Sequence, residues 1–347
     1  MAAVTAEPHL NAQPEAAVQP EAVVRAASPG DRPRVGSTAL LAGLLVLVLL
    51  GQRFLVGLFG SAAVQTWATV FVAVCVQALP FLVLGVLISG AIAAFVPPAF
   101  FARVLPSSPL AAVPVAGAAG AILPGCECGS VPVAGGLMAR GVPPPAALAF
   151  LLSAPAINPV VLVATAVAFP GRPAMVAARF VASLATAVLV GWIWARFAKA
   201  DWISRPRRAD TSGMDRWEAF RATMAHDFLQ AGGFLVVGGL TAATLNVVVP
   251  QGILSVVAGH QWLAIGGLSL LAVLLAICSE ADAFVAASLS QFSLTARLAF
   301  LTVGPMVDVK LISLQAGTFG RRFVLRFAPL TFVVAVGAAV LVGAWLL

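Results

Sequence analysis

Residues 124–141 read PGCECGSVPVAGGLMARG and lead to AFLLSAPAINP at 149–159; residues 278–289 read CSEADAFVAASL and lead to AFLTVGPMVDVKLI at 299–312. Each stretch sets thiols and carboxylates into otherwise apolar sequence and breaks it with proline or glycine. A charge at the middle of a membrane helix costs on the order of 2.5–3.5 kcal/mol on insertion scales. Charges at matching points of two apolar halves therefore mark the substrate path of a transporter.

The surrounding sequence fits that reading. The chain is 61% hydrophobic and 10% charged, with a mean hydropathy of +1.02. Its runs of charge-free residues, such as 228–249 and 327–347, are continuous. Continuous runs predict helices, since a membrane barrel alternates apolar and polar residues. The fold class expected is all-α, a polytopic transmembrane helix bundle. Crossing the hydrocarbon takes about 20 residues, which predicts spans at 37–59, 63–96, 145–169, 173–195, 228–250, 295–316 and 323–346. Trp67, Trp192, Trp194, Trp262 and Trp345 fall near the ends of such segments, where an aromatic belt is expected.

A net charge of +7 does not point to nucleic acid, because most of the basic residues flank apolar spans, as the positive-inside bias requires. Four cysteines are no disulfide framework. No Walker loop, HExxH or nucleophile elbow occurs. The expectation is thus a non-enzyme without a cofactor, and uphill transport would draw on an ion gradient or a separate subunit.

The motifs belong to a longer internal repeat. Gln77, Phe81, Gly85 and Pro97 match Gln230, Phe234, Gly238 and Pro250, and further landmarks pair Cys126 with Cys278, Pro155 with Pro305 and Arg179 with Arg326. The organisation expected is a disordered tail at 1–36, an extra transmembrane helix at 37–59, a first repeat at 60–195, a basic cytoplasmic linker at 196–227 and a second repeat at 228–347. Within the linker, 214–226 suggests a short surface helix ahead of the next span. Regions 109–138 and 261–290 read as re-entrant hairpins, because Pro124-Gly125, Gly129, Pro132, Gly135-Gly136 and Pro143 to Pro145 cannot share one helix. Three crossings per repeat then give an inverted pair, with Arg103 and Arg321 inside and Arg172 outside.

Of the 13 acidic residues, only Glu127, Glu280, Asp282 and Asp308 lie outside the tail and the region around the central loop. They line a polar cavity or pair with Arg140, Arg297 or Lys310. Cys126, Cys128 and Cys278 are soft ligands, suited to Cu(I), Zn(II) or trivalent arsenic; redox or pathway-lining roles are the alternatives. Cys75 has no repeat partner and reads as packing. Pro155, Asn158 and Pro159, with the matching Pro305 and Asp308, break the next span in each half; Asn158 offers a neutral amide where the second half has Asp308, an asymmetry that suits one ion or proton on the second half. Gly238 reads as a close helix contact.

At Cys126-x-Cys128-Gly129-x-x-Pro132, with Pro155, Asn158 and Pro159 beyond it, the chain resembles the predicted permease family that includes organoarsenical efflux permeases (ArsP-like), over about residues 60–347. Glu127 stands where the family pattern implies serine. The resemblance implies a multi-pass inner-membrane permease with the Cys motif near the substrate path, and a smaller membrane protein as companion.

Together these readings predict secondary efflux of a soft-metal or metalloid species, trivalent organoarsenicals being the specific candidate. Cys126, Cys128 and Cys278 would contact the soft centre, and Glu127, Glu280, Asp282, Asn158 and Asp308 would complete the substrate site. The partners expected are the lipid bilayer and that substrate, with no nucleic acid, and the bundle is compatible with a homo-oligomer. The competing reading is a membrane subunit of a metal-handling complex that works with a small partner rather than transporting alone.

Overall fold

A computed structural model describes residues 62–106, 108–122, 126–199, 202–203, 213–248 and 260–347. The tail expected at 1–36, the helix expected at 37–59, and Pro124, Gly125 and Pro250 lie outside the described residues. Among those described, every regular element is a helix.

The N-terminal half runs α1 (Ala62–Phe95), α2 (Pro98–Val104), α3 (Pro109–Ala119), α4 (Glu127–Ala139), α5 (Pro144–Ile157), α6 (Pro159–Ala168) and α7 (Pro173–Phe197). The C-terminal half runs α8 (Arg216–Val248), α9 (Gln261–Leu275), α10 (Asp282–Ser288), α11 (Leu294–Val303), α12 (Val309–Phe319) and α13 (Arg321–Leu346). Among the described residues, five segments are long and apolar enough to cross a membrane: 63–95, 144–168, 173–197, 216–248 and 321–346.

The long helices carry a lipid-facing stripe and a packed one. On α1, Val72, Val76, Leu79, Val83 and Leu87 are exposed at helical spacing, while Ala78, Leu82, Val86 and Ser89 are buried on the other side. An exposed valine and leucine stripe of this kind suits hydrocarbon rather than water. At about 1.5 Å per residue α1 is roughly 50 Å long, more than the hydrocarbon needs, so it must tilt or project.

Two antiparallel pairs frame the bundle. Trp67 near the start of α1 donates to Thr244 near the end of α8 at 3.1 Å, while Phe95 at the end of α1 meets Trp217 and Phe220 at the start of α8. Likewise Trp194 near the end of α7 packs edge-on against Phe323 and Phe327 near the start of α13. Trp194 is therefore a core residue rather than part of an aromatic belt. Arg326 of α13 lies over the Trp202 ring at 4.4 Å, which brings the connection between the halves to this same end.

One sequence expectation needs correction, and the broken spans take definite form. Residues 216–227 are not a separate surface helix, because α8 continues through them without a break. The span expected at 295–316 is two short helices, α11 and α12, parted by a turn at 304–307. Pro143 to Pro145 open α5, whereas Gly129, Pro132, Gly135 and Gly136 lie together in α4. Its Pro132 is tolerated at the cost of one ladder bond, which leaves the carbonyl of Cys128 without its usual donor. The apolar stretch 144–168 breaks at Asn158, because the residue before Pro159 is biased away from helical geometry.

Glycine sets the closest approaches between elements. A Cβ at Gly85 of α1 would collide with the backbone of Gly129 on α4, and one at Gly238 of α8 would stand 2.7 Å from Lys310 Cα on α12. Gln230 Nε2 donates to Gly317 O at 3.0 Å, tying α8 to α12 a second time. Close helix packing is thus what Gly238 provides.

Candidate functional site

The broken helices bring several polar termini together in the middle of the bundle. Cys126 is the N-cap of α4, in extended geometry, with Glu127 as the first helical residue. A carboxylate there faces the positive end of the helix dipole. In the C-terminal half, α9 ends on Ala276, whose φ of 49° is the only positive value at a described non-glycine residue. That conformation costs an alanine about 1–2 kcal/mol, and it turns the chain so that residues 277–281 precede α10. Asp308 is the N-cap of α12, where its Oδ1 accepts from Leu311 N–H at 2.6 Å.

Two ion pairs cross between the halves. Lys310 Nζ of α12 donates to Glu127 Oε1 of α4 at 2.7 Å, with side-chain exposures of 3% and 0%. Arg179 Nη2 of α7 donates to Asp282 Oδ2 of α10 at 2.9 Å, again fully buried. Arg179 also donates to Thr165 Oγ1 at 2.8 Å and to Ser279 O at 3.1 Å. Ser279 joins the two pairs, since its hydroxyl donates to Glu127 Oε2 at 3.3 Å. Each hairpin of one half is thereby held by a cation from the other half. Buried pairs of this kind do little for net stability, but removal of one partner is expensive.

The thiols gather beside the first pair. One ligand atom each of Cys126, Glu127 and Cys278 lies within 4.8 Å of the other two. Cys128, two residues further on, falls outside that group of three. All three thiols are free and buried. Glu280 is half-buried, reaches Cys278 with its side chain, and has one buried oxygen, Oε2, with no hydrogen-bond partner. Chemically, the arrangement offers two or three sulfurs from both halves, with a carboxylate whose oxygens are already engaged by Lys310 and Ser279.

Asn158 and Asp308 sit elsewhere in this scheme. Asn158 caps both sides of the α5/α6 break, donating from Nδ2 to Ala154 O and accepting at Oδ1 from Val161 N–H, each at 3.0 Å. Asp308 caps α12, and its other oxygen stands 3.6 Å from Lys310 Nζ. Of the cations named from sequence, Lys310 is the one that pairs; Arg140 and Arg297 form no ion pair with the motif carboxylates. The sequence reading missed Arg179 as a partner, and also Thr165 and Ser279. Arg179 had a legible signal, a lone charge inside the apolar run 173–195; Ser279 had none beyond its place in the motif.

A match to the family ArsP_1, described as a predicted permease, covers residues 63–344. The chain belongs to this family of predicted permeases. Its relatives include the UPF0718 protein YcgR of Bacillus subtilis, 34% identical over 278 residues, which cover 77% of this chain and 93% of that protein. A Streptococcus mutans protein named as a two-component membrane permease complex subunit is 31% identical over 291 residues, covering 82% of this chain and 96% of its own. No solved structure matches the chain. In a permease the five long apolar helices are membrane elements, and the thiol and carboxylate cluster lies between the two halves of the bundle.

Proposed function

We propose that this permease exports a soft-metal or metalloid species by secondary transport, with trivalent organoarsenicals as the leading candidate substrate. The observation that carries the reading is the convergence of Cys126 and Cys278, from opposite halves of the chain, on one buried position beside Glu127. Thiolates select soft, thiophilic centres over hard cations. A site built from both halves is what alternating access needs, because relative motion of the halves makes and breaks it. Cys126, Cys128 and Cys278 contact the soft centre, Glu280 and Glu127 supply negative charge nearby, Asp282 anchors the second hairpin, and Asn158 and Asp308 shape the broken helices around it.

The architecture behind this is an inverted repeat. Its support is the order of elements, in which α1, α3, α4, α5, α6 and α7 are followed by α8, α9, α10, α11, α12 and α13 in the same succession. Repeat-equivalent helices α1 and α8 run antiparallel, as do α7 and α13, whereas parallel repeats would keep their directions. The end of the bundle shared by the starts of α8 and α13 carries Arg103, Arg196, Arg216, Arg221, Arg321 and Arg322. The positive-inside bias makes it the cytoplasmic end in the cell membrane.

The test is flux of phenylarsine oxide in proteoliposomes together with arsenical sensitivity of cells lacking the protein. Wild type is expected to transport and to restore resistance, and the Cys126→Ser/Cys128→Ser/Cys278→Ser variant to do neither. Full function of the triple variant would refute thiol ligation. The second reading, a subunit that works with a companion membrane protein, is favoured by the name of the Streptococcus mutans relative. Co-purification of a small membrane protein, with no flux until it is added back, would decide for it.

A further inference from the structure

Three carboxylates at the centre of the bundle, Glu127, Asp282 and Asp308, are no more than 2% exposed, and they face two equally buried cations, Arg179 and Lys310. Asp282 and Arg179 balance one another. The excess negative charge therefore belongs to the trio of Glu127, Lys310 and Asp308. Within it, Lys310 is committed to Glu127 at 2.7 Å and stands 3.6 Å from Asp308 Oδ2, too far to donate a hydrogen bond. Asp308 Oδ2 is buried and accepts no hydrogen bond. A carboxylate that shares its one cation with Glu127 and has an oxygen without a donor is unfavourable as an anion in so dry a place, which favours uptake of a proton.

We propose that Asp308 is the proton-binding site that couples this permease to a proton gradient. The inference rests on the transport reading above. The proton forms an O–H bond at Oδ2 on arrival from water and leaves by the same bond, with no other bond changed. When protonated, Asp308 is neutral and leaves Lys310 to Glu127, so α12 holds the α4 hairpin. When deprotonated, it competes for Lys310 and loosens that hold beside the thiols. The charged groups facing Asp308 are Lys310 on its own helix and Glu127 on α4. Helices α8 and α13, which also pack against α12, carry their charges toward their ends, at Arg216, Glu218, Arg221, His226 and Asp227 and at Arg321, Arg322 and Arg326.

The fold supplies its own control. Asn158 occupies the corresponding cap in the other half and accepts from Val161 N–H through its amide oxygen, as Asp308 does from Leu311. Asparagine and aspartate are equally good N-caps, so the capping role needs no charge and Asp308→Asn is expected to fold.

Infrared difference spectra of the purified full chain in lipid nanodiscs, recorded across pH without substrate, test the proton directly. A buried carboxylic-acid C=O band is expected in wild type and in Asp282→Asn, and its loss in Asp308→Asn. Persistence of the band in Asp308→Asn overturns the proposal. In proteoliposomes, Asp308→Asn should lose accumulation of phenylarsine oxide driven by an imposed proton gradient. Gradient-driven accumulation that survives in Asp308→Asn also overturns it. Should wild type move no phenylarsine oxide, the substrate reading fails while the infrared result still decides this one.

Discussion

Replacing Lys310 with methionine keeps the unbranched stem, one atom shorter, and deletes the cation that Glu127 and Asp308 share. The Nζ to Oε1 distance of 2.7 Å corresponds to an attraction of about 6 kcal/mol at an effective dielectric of 20. Much of that is offset by desolvation of both groups. Loss of one partner nevertheless leaves Glu127 charged and enclosed, which costs about 3–5 kcal/mol. Glu127→Gln strands Lys310 in the same way, though Asp308 at 3.6 Å remains to it. The double variant removes both charges together, and buried pairs exchanged for neutral groups are often close to neutral in stability. The double variant is therefore expected to be more stable than the sum of the single changes implies, with a coupling energy of about 3 kcal/mol or more. Reversible unfolding in mixed micelles, followed by tryptophan fluorescence, measures all four corners of this cycle. If the single effects add to within about 0.5 kcal/mol, the pair is not coupled and the assignment of Lys310 as the latch on α4 is wrong.

Three further outcomes follow from the same geometry. With Cys75 and Cys128 replaced by serine and a protease site inserted between Ile203 and Gly213, a short bifunctional thiol reagent should join Cys126 to Cys278, so that the cleaved halves run as one band on a denaturing gel; separate halves would exclude the convergence. Gly238→Ala places a methyl 2.7 Å from Lys310 Cα and should destabilise by about 1–3 kcal/mol, as overpacking does, whereas Gly266→Ala, with nothing within 4 Å, should be neutral or mildly stabilising in the same melt. Single cysteines at Arg103 and Arg321 should react with a membrane-impermeant maleimide only from the cytoplasmic side and one at Arg172 only from the other; labelling of all three from one side would defeat the inverted arrangement.

The membrane class, the broken regions and the thiol motif were legible because each leaves a local mark: charge-free length, proline with glycine, and rare residue types in apolar surroundings. The ion-pair network was not, because its partners are 183 residues apart for Lys310 and Glu127 and 103 for Arg179 and Asp282. Spacing along one chain carries no information about which cation reaches which carboxylate. Asp308 and Lys310, two positions apart, do pair at 3.6 Å, but the capping bond to Leu311 holds one carboxylate oxygen and the shorter bond of Lys310 runs to the other hairpin. The break of 295–316 at Pro305 and Asp308 was legible too. Gly304 and Pro305 were visible, but a proline by itself does not end a helix, as Pro80 inside α1 and Pro329 inside α13 demonstrate. What separates the cases is the N-cap: Asn158 and Asp308 give a new helix its first acceptor, and there the chain restarts.

The two cross-half ion pairs and the thiol pair occupy the same seam, and that has a consequence for the transport cycle. A rigid displacement of one half against the other must separate Lys310 from Glu127 and Arg179 from Asp282, since each pair has one member on either side. Opening both at once would leave four buried charges without partners, which is prohibitive at several kcal/mol each. Something must take over at the seam as the pairs part. On the transport proposed above, a proton on Asp308 would reduce the charge left behind, and a soft cationic centre held by Cys126 and Cys278, whose sulfurs lie within 4.8 Å of a Glu127 oxygen, would supply positive charge as Lys310 withdraws. Substrate and lysine then compete for one carboxylate. Glu127→Gln should accordingly weaken retention of a cationic soft probe, Cu(I) for example, more than that of neutral phenylarsine oxide, as read by competition against a calibrated chelator. Equal loss for both probes would mean that Glu127 acts only through the fold and has no part in charge exchange at the site.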